Sequence, residues 1–444
     1  MCLIALVMVG FVAFGAWAGC PSDAKIPIVG WSGLPLQMAS AERYREAKDA
    51  GFTHLTQWCK SPSEAKRLLA EAEKAGVKLI IGFVAHGVNG IKRMTDEAEA
   101  FVSAVKDSPA LEYYYVTDEP HISAAERIRD CVARYEALDP AHPCYVNLFG
   151  SSYDPGTRRD AERMRRNSGC NTYGEYLNRL FAIVPLKMLS FDVYPILSLK
   201  PIENADLRLH GTRVFLGERW YETLEIASAF ARERKIPLCT FALATAHRHY
   251  PANNYPVPTR EHLRLQMYSN LAYGAQMLQY FRYHMGSPDR APIASGGKRS
   301  PLFELVREMN QEIQARAYVF LGAKVQGVWH TGLDIPLGTR RFDAKVLPPF
   351  AKSFSAPKGT TAVVSLLRNG EREYFMVVNR DPNDDMSFTA TFAPGTELVR
   401  RDGSLVPADA YADTFWLDPG DTAIFCWTGL DARQTHRGAE DRLK

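Results

Sequence analysis

Gly76-Val77-Lys78-Leu79-Ile80-Ile81-Gly82-Phe83 is the stretch on which the fold turns. Leu79, Ile80 and Ile81 are apolar on both faces of any strand they form. Such a strand needs cover on both sides, as in a parallel sheet flanked by helices. The preceding residues, 63–75, follow an amphipathic helical pattern that Gly76 stops. A helix running into a doubly buried strand is one β/α unit. Outward from it the same alternation recurs. Strands are expected at 26–31, 52–58, 77–83, 111–117, 144–149, 189–194, 237–243 and 277–283, with helices between them, among others at 41–50, 97–106 and 124–138. Eight units over roughly 260 residues have the size and rhythm of a (β/α)8 barrel. The competing arrangement, an open doubly wound sheet, begins with a Gly-rich phosphate loop, and none follows the first strand.

Residues 300–322 read as one long final helix, with Leu302, Val306, Met309, Ile313, Ala317 and Phe320 on one stripe. After it the texture changes to short strands at 361–367, 373–379, 386–392, 414–417 and 422–427. Asn369-Gly370, Asp381-Pro382-Asn383-Asp384 and Asp402-Gly403 supply turns. The expected organisation is a leader at 1–18, a barrel at 19–324, an antiparallel β-sandwich at 325–430 and a polar tail at 431–444.

The 444 residues carry 53 Lys and Arg against 50 Asp and Glu, a net charge of +3. That balance argues against a dedicated nucleic-acid binder, and 46% apolar content argues against a disordered chain. The first eighteen residues are apolar and uncharged and end in Ala16-Trp17-Ala18, the A-x-A form of a signal-peptidase site. Export from a bacterial cytoplasm is the expectation. A lipid anchor through Cys20 is a second form of it, and a membrane anchor the competing reading. The six later cysteines lack C-x-x-C spacing, which speaks against a zinc site and a dense disulfide scaffold.

A (β/α)8 barrel builds its site from the C-terminal ends of its strands. The polar and aromatic residues there are Trp31, Ser32, Gln57, Trp58, His86, Asp118, Glu119, Asn147, Asp192, Tyr194, Thr245, His247, His249, Tyr280, Arg282 and His284. The set contains no Lys for a Schiff base, and His247-x-His249 alone makes a weak metal pair. In Tyr113-Tyr114-Tyr115-Val116-Thr117-Asp118-Glu119-Pro120 a strand runs straight into two carboxylates, and the proline fixes the backbone behind them.

That run resembles the fourth strand of the barrel glycoside hydrolases of the Asn-Glu clan, which includes the family 42 β-galactosidases. Tyr173-Gly-Glu-Tyr176 followed by 189–195, Pro258–Gly274 and Leu417-Asp-Pro-Gly-Asp421 strengthen the resemblance, which spans most of residues 25–427. It implies a general acid/base at Glu119, with Asp118 standing where that clan has Asn. It also implies a carbohydrate substrate, with β-linkage the clan's habit.

Glycoside hydrolysis ordinarily uses two carboxyl groups and needs no metal or organic cofactor. Asp118 beside Glu119, with partial burial, is expected to raise the Glu119 pKa, as suits a proton donor. The clan's second acid lies on strand seven, and residues 238–247 contain none. By position Asp192 is the first substitute and Glu218 the next. If neither serves, substrate-assisted chemistry or a non-catalytic glycan-binding barrel follows. Trp31, His86, Asp118, Asn147, Tyr194, His247 and Tyr280 are the expected substrate contacts, each with packing or loop structure as its plainer alternative. The arginines at 158, 159, 163, 165 and 166 read first as a solvated helix face, and second as a site for an anionic glycan.

Overall fold

The structure is a computed structural model that describes residues 25–83, 96–151, 160–198, 213–217, 219–249, 253–285, 290–408 and 413–429. The leader, Cys20, His86, Glu218, Arg158, Arg159 and the polar tail lie outside the described residues.

Eight parallel strands close into a barrel. In chain order they are Ile28–Trp31, His54–Cys59, Lys78–Phe83, Leu111–Asp118, Cys144–Phe149, Leu189–Asp192, Leu238–Leu243 and Ala275–Phe281. The last pairs with the first, Ile28 opposite Leu278 and Trp31 opposite Phe281. The helices start and stop on local chemistry. Ser61 accepts from the Glu64 amide at the start of helix Pro62–Ala75, and Gly76 ends it at φ 67°, a conformation glycine adopts without a Cβ penalty. Thr172 and Thr259 cap the helices Tyr173–Ile183 and Arg260–Ala272 in the same way.

Period-two alternation sorts the barrel side chains. Val29, Ile80, Tyr113, Tyr115, Tyr145, Met188, Cys239 and Met277 form the interior core. Tyr114 turns outward into the helix layer, where its hydroxyl donates to Asp139 at 2.7 Å. The six described cysteines are all buried and free.

The stretch expected as one helix at 300–322 is two, Pro301–Ala315 and Ala317–Phe320. They part at Arg316, whose buried guanidinium donates to the Tyr268 hydroxyl and to the Arg400 carbonyl. Beyond it stand two antiparallel sheets, one of six strands and one of three. Their facing rings, Phe375 and Phe425 against Phe354, Phe388 and Phe415, make a second core. This is the β-sandwich. Its strands at Lys324–His330, Ala351–Ser355, Glu397–Val399 and Leu405–Pro407 were not among those expected. The Ser365 hydroxyl donates to the Ala272 carbonyl at 2.7 Å and ties the sandwich to the barrel.

A further four-stranded sheet, Ile196–Ser198, Val214–Leu216, His247–His249 and Asn253–Tyr255, arises from the loops after strands six and seven. Its Leu197 and Tyr255 pack with Leu243, Tyr194 and Phe281 beside the barrel mouth. No helix among the described residues is long and apolar enough to cross a membrane.

Candidate active site

Strand four delivers Asp118 and Glu119 to the mouth of the barrel. Its pairing to strand five shifts register between Tyr115 and Thr117, then resumes with Asp118 opposite Asn147. The Glu119 amide donates to the Asn147 carbonyl at 2.9 Å, so the ladder holds one residue past the strand. Glu119 then turns at φ 42°, a left-handed conformation that costs a non-glycine residue about 1 kcal/mol. Such a conformation persists where its surroundings over-determine it. Pro120 follows, and its carbonyl accepts from the buried Tyr176 hydroxyl at 2.7 Å. The bend aims the Glu119 carboxyl across the mouth toward strand six.

There it faces Asp192, near enough that the charge of Asp192 bears on it. The Asn147 amide donates to Asp192 Oδ1 at 2.8 Å and to Asp118 Oδ1 at 3.0 Å. Asn147 Oδ1 accepts from the Ser190 hydroxyl at 2.9 Å, and Ser190 accepts from Gln279 Nε2 at 2.9 Å. Tyr145 donates to Gln279 Oε1 at 2.8 Å. Strands five, six and eight thus contribute to one buried chain whose last link fixes both aspartates. The Tyr194 hydroxyl faces Asp192, and the Tyr115 hydroxyl faces Asp118.

Three carboxyls in one crowded space cannot all ionise freely. Glu119 is exposed, at the edge of the mouth. Removal of its anion from water, then the charge of Asp192, then that of Asp118, push its pKa up to about 9. Burial and the charge of Asp118 push Asp192 up to about 7, while Asn147 and Tyr194 pull the other way. Burial raises Asp118 too, and Asn147 and Tyr115 oppose that rise. The expected elevation at Glu119 is present, and Asp192 contributes more to it than Asp118 does.

Aromatic rings line the mouth. Trp31 meets Trp58 edge to face at 5.4 Å and Phe281 at 5.3 Å. Phe281 lies 5.2 Å from Tyr194 and 5.5 Å from His247, which stacks on Tyr255 at 4.6 Å. The Trp31 indole N–H is buried without a hydrogen-bond partner. Ring faces beside an unspent donor suit the C–H faces and hydroxyls of a sugar.

Among the expected contacts, Trp31, Asp118, Asn147, Tyr194 and His247 gather here with Glu119 and Asp192. Tyr280 does not. It sits opposite Gly30 on the outer face of strand eight, fully buried, with its ring 5.6 Å from Phe52. Gln279 and Phe281, its neighbours, are the residues that face inward. Thr245 donates to the Arg290 carbonyl and so closes a loop. Strand seven carries no carboxylate, and Glu222 and Glu225 lie inside helix Trp220–Arg234. Arg165 and Arg166 are exposed on helix Asp160–Ser168, as a solvated face requires. Among the described residues no group of three or more His, Cys, Asp and Glu side chains is arranged to hold a metal ion. Sequence reasoning missed Tyr115, Ser190, Tyr145, Gln279, Phe281 and Tyr255. Counting back by twos from Asn147 and Asp192 would have found Tyr145 and Ser190.

No family model matches the chain, and no curated protein matches it. Solved structures of similar fold exist. One is a glycoside hydrolase family 5 protein from Bacteroides vulgatus, 13% identical, covering 91% of this chain and 89% of its own at a TM-score of 0.53. Another is a catalytic mutant of a GH42 β-galactosidase from G. stearothermophilus, 9% identical, covering 91% and 98% at 0.52. A third, described as a glycoside hydrolase, is 11% identical and covers 91% and 92% at 0.53. At these identities the likeness is one of fold, shared with these glycoside hydrolases over nearly the whole chain.

Proposed function

We propose that this chain is an exported glycoside hydrolase with Glu119 as general acid/base and Asp192 as nucleophile, acting on a β-linked oligo- or polysaccharide. The observation that carries the reading is the Glu119–Asp192 pair at the mouth of the barrel, one carboxyl held protonated and its partner oriented by two polar side chains. The separation of the two carboxyls decides the stereochemical course. Retaining enzymes hold theirs about 5–5.5 Å apart, and inverting ones about 6.5–9.5 Å, to admit a water. The mutual influence of the two charges favours the closer, retaining arrangement.

In the first step an Asp192 carboxylate oxygen bonds to the anomeric carbon. The bond from that carbon to the leaving oxygen breaks, and the leaving oxygen takes the Glu119 proton. In the second, Glu119 removes a proton from water, the water oxygen bonds to the anomeric carbon, and the bond to Asp192 breaks. Trp31, Tyr194 and His247 hold the sugar. The apolar, uncharged residues 1–18 support export.

A 2-fluoro glycoside with a good leaving group tests the nucleophile. Mass spectrometry of peptides should find one sugar attached to Asp192. A label on another carboxylate, with Asp192→Asn still trapping, would remove Asp192 from the role. The absence of a carboxylate on strand seven favours a second reading, a barrel that binds glycans without cleaving them. It requires that Glu119→Gln alter no turnover.

A further inference from the structure

Arg282 follows directly on the last residue of strand eight, at the same end of the barrel as Glu119 and Asp192. Its guanidinium carbon lies 4.7 Å from the centre of the Phe281 ring, whose neighbours are Trp31, Tyr194 and His247. Its Nε is enclosed and has no hydrogen-bond partner. Among the described residues no carboxylate pairs with it. The one charged-form neighbour that favours its cation is the Tyr194 hydroxyl, the group that also faces Asp192. Burial alone disfavours its charge. Arg264 is answered by Glu312 at 2.8 Å and Arg219 by Glu222, and the guanidinium of Arg380, whose Nε is likewise unpartnered, donates to the Thr331 and Asp334 carbonyls. His284, two residues on, is held toward its neutral form by burial and by Arg282 and Arg43, and offers no negative charge.

A partly buried guanidinium with no counter-charge is unfavourable unless something completes it. The geometry points to an anionic sugar: we infer that Arg282 binds a carboxylate or sulfate carried by the glycan that the Glu119–Asp192 site accepts. The planar fork of arginine matches either group with two parallel hydrogen bonds. The ring wall beneath it would take the sugar face, so anion and pyranose are read side by side. This rests on the hydrolase reading only for the site being a sugar site, since binding does not require cleavage.

The test is calorimetric titration of the whole chain with D-glucuronate, D-galacturonate and glucose 6-sulfate against D-glucose and D-galactose, with inorganic sulfate as a separate probe. An acidic sugar should bind about 10- to 100-fold more tightly than its neutral counterpart, the range expected for a hydrogen-bonded charge. Arg282→Gln should abolish that margin and leave neutral-sugar binding in place, and Arg282→Lys should keep part of it. Uronates above glucose 6-sulfate name a carboxylate, and the reverse order names a sulfate. Equal binding of acidic and neutral sugars by the unaltered chain overturns the proposal even if the Gln variant does not fold. So does inorganic sulfate binding as tightly as the best sugar. Binding of an acidic sugar through Arg282 without cleavage of any aryl glycoside would uphold this inference and sink the hydrolase reading. Cleavage of neutral glycosides with no acidic preference would do the opposite.

Discussion

Asn147 donates one amide nitrogen to Asp192 at 2.8 Å while its carbonyl is bound by Ser190, so neither end of the amide is free to turn. The same nitrogen reaches Asp118 at 3.0 Å. This side chain holds two like charges near each other and favours the ionised form of each. It is a positioning residue for the pair.

Asn147→Ala should therefore lower kcat by about 10- to 100-fold, the scale seen when an orienting partner of a functional group is lost. It should also move the upper and lower limbs of the pH–rate profile, because the bond lowers Asp192. Steady-state kinetics over pH 5 to 10 check it. An unchanged profile with a lower kcat would mean that Asn147 serves structure alone.

The carboxyl pair should set that profile in the unaltered chain. The proposed mechanism needs Asp192 ionised and Glu119 protonated. With the pair titrating near about 7 and about 9, kcat/KM should be bell-shaped with its maximum between those values. An optimum near pH 5, with a fall above pH 6, would contradict the assignment of acid and nucleophile.

The same shifts bear on stability. Both carboxyls bind protons more tightly folded than unfolded, where they titrate near about 4. Between about pH 4 and the raised values, the folded state keeps protons that the unfolded state has lost. Stability therefore falls as pH rises through that window. Asp192→Asn removes one such group, so its gain in Tm should be larger at pH 8.5 than at pH 5. Equal gains at the two pH values would show that Asp192 is not raised.

Tyr280 faces the helices. Tyr280→Phe should leave kcat/KM within about twofold, because it deletes a hydroxyl that touches neither the mouth nor a partner. Phe52→Ala, against the same ring, should cost about 3–5 kcal/mol in denaturant unfolding. A large loss of activity in the first variant, with stability intact, would return Tyr280 to the site.

The barrel was legible because strands buried on both faces leave apolar runs that helices punctuate. Runs such as 79–81 and stops such as Gly76 survive without tertiary information. The sheet beside the mouth was not legible. Its strands are three residues each, too short to show a period, and they pair only because the barrel brings two loops together. Lys324–His330 escaped notice because its exposed and buried positions alternate around a register shift at Gly327. At the site, Asp118, Glu119, Asn147 and Asp192 were readable as polar groups at strand ends. Tyr280 failed on parity. Which of two adjacent residues faces inward depends on the register of the closed barrel, and one step of error turns the ring to the other face. The approach of Asp192 to Glu119 could not be read either, since it depends on the left-handed turn at Glu119.

The most direct measurement compares the unaltered chain with Glu119→Gln on aryl β-glycosides, acidic and neutral. For a phenyl leaving group, kcat/KM should fall about 100- to 10,000-fold, and far less for dinitrophenyl, which departs without a proton. Added azide should restore turnover of the dinitrophenyl substrate in the variant by replacing the water that Glu119 no longer activates. Equal loss on both substrates with no rescue, or no loss on either, would contradict Glu119 as the proton donor.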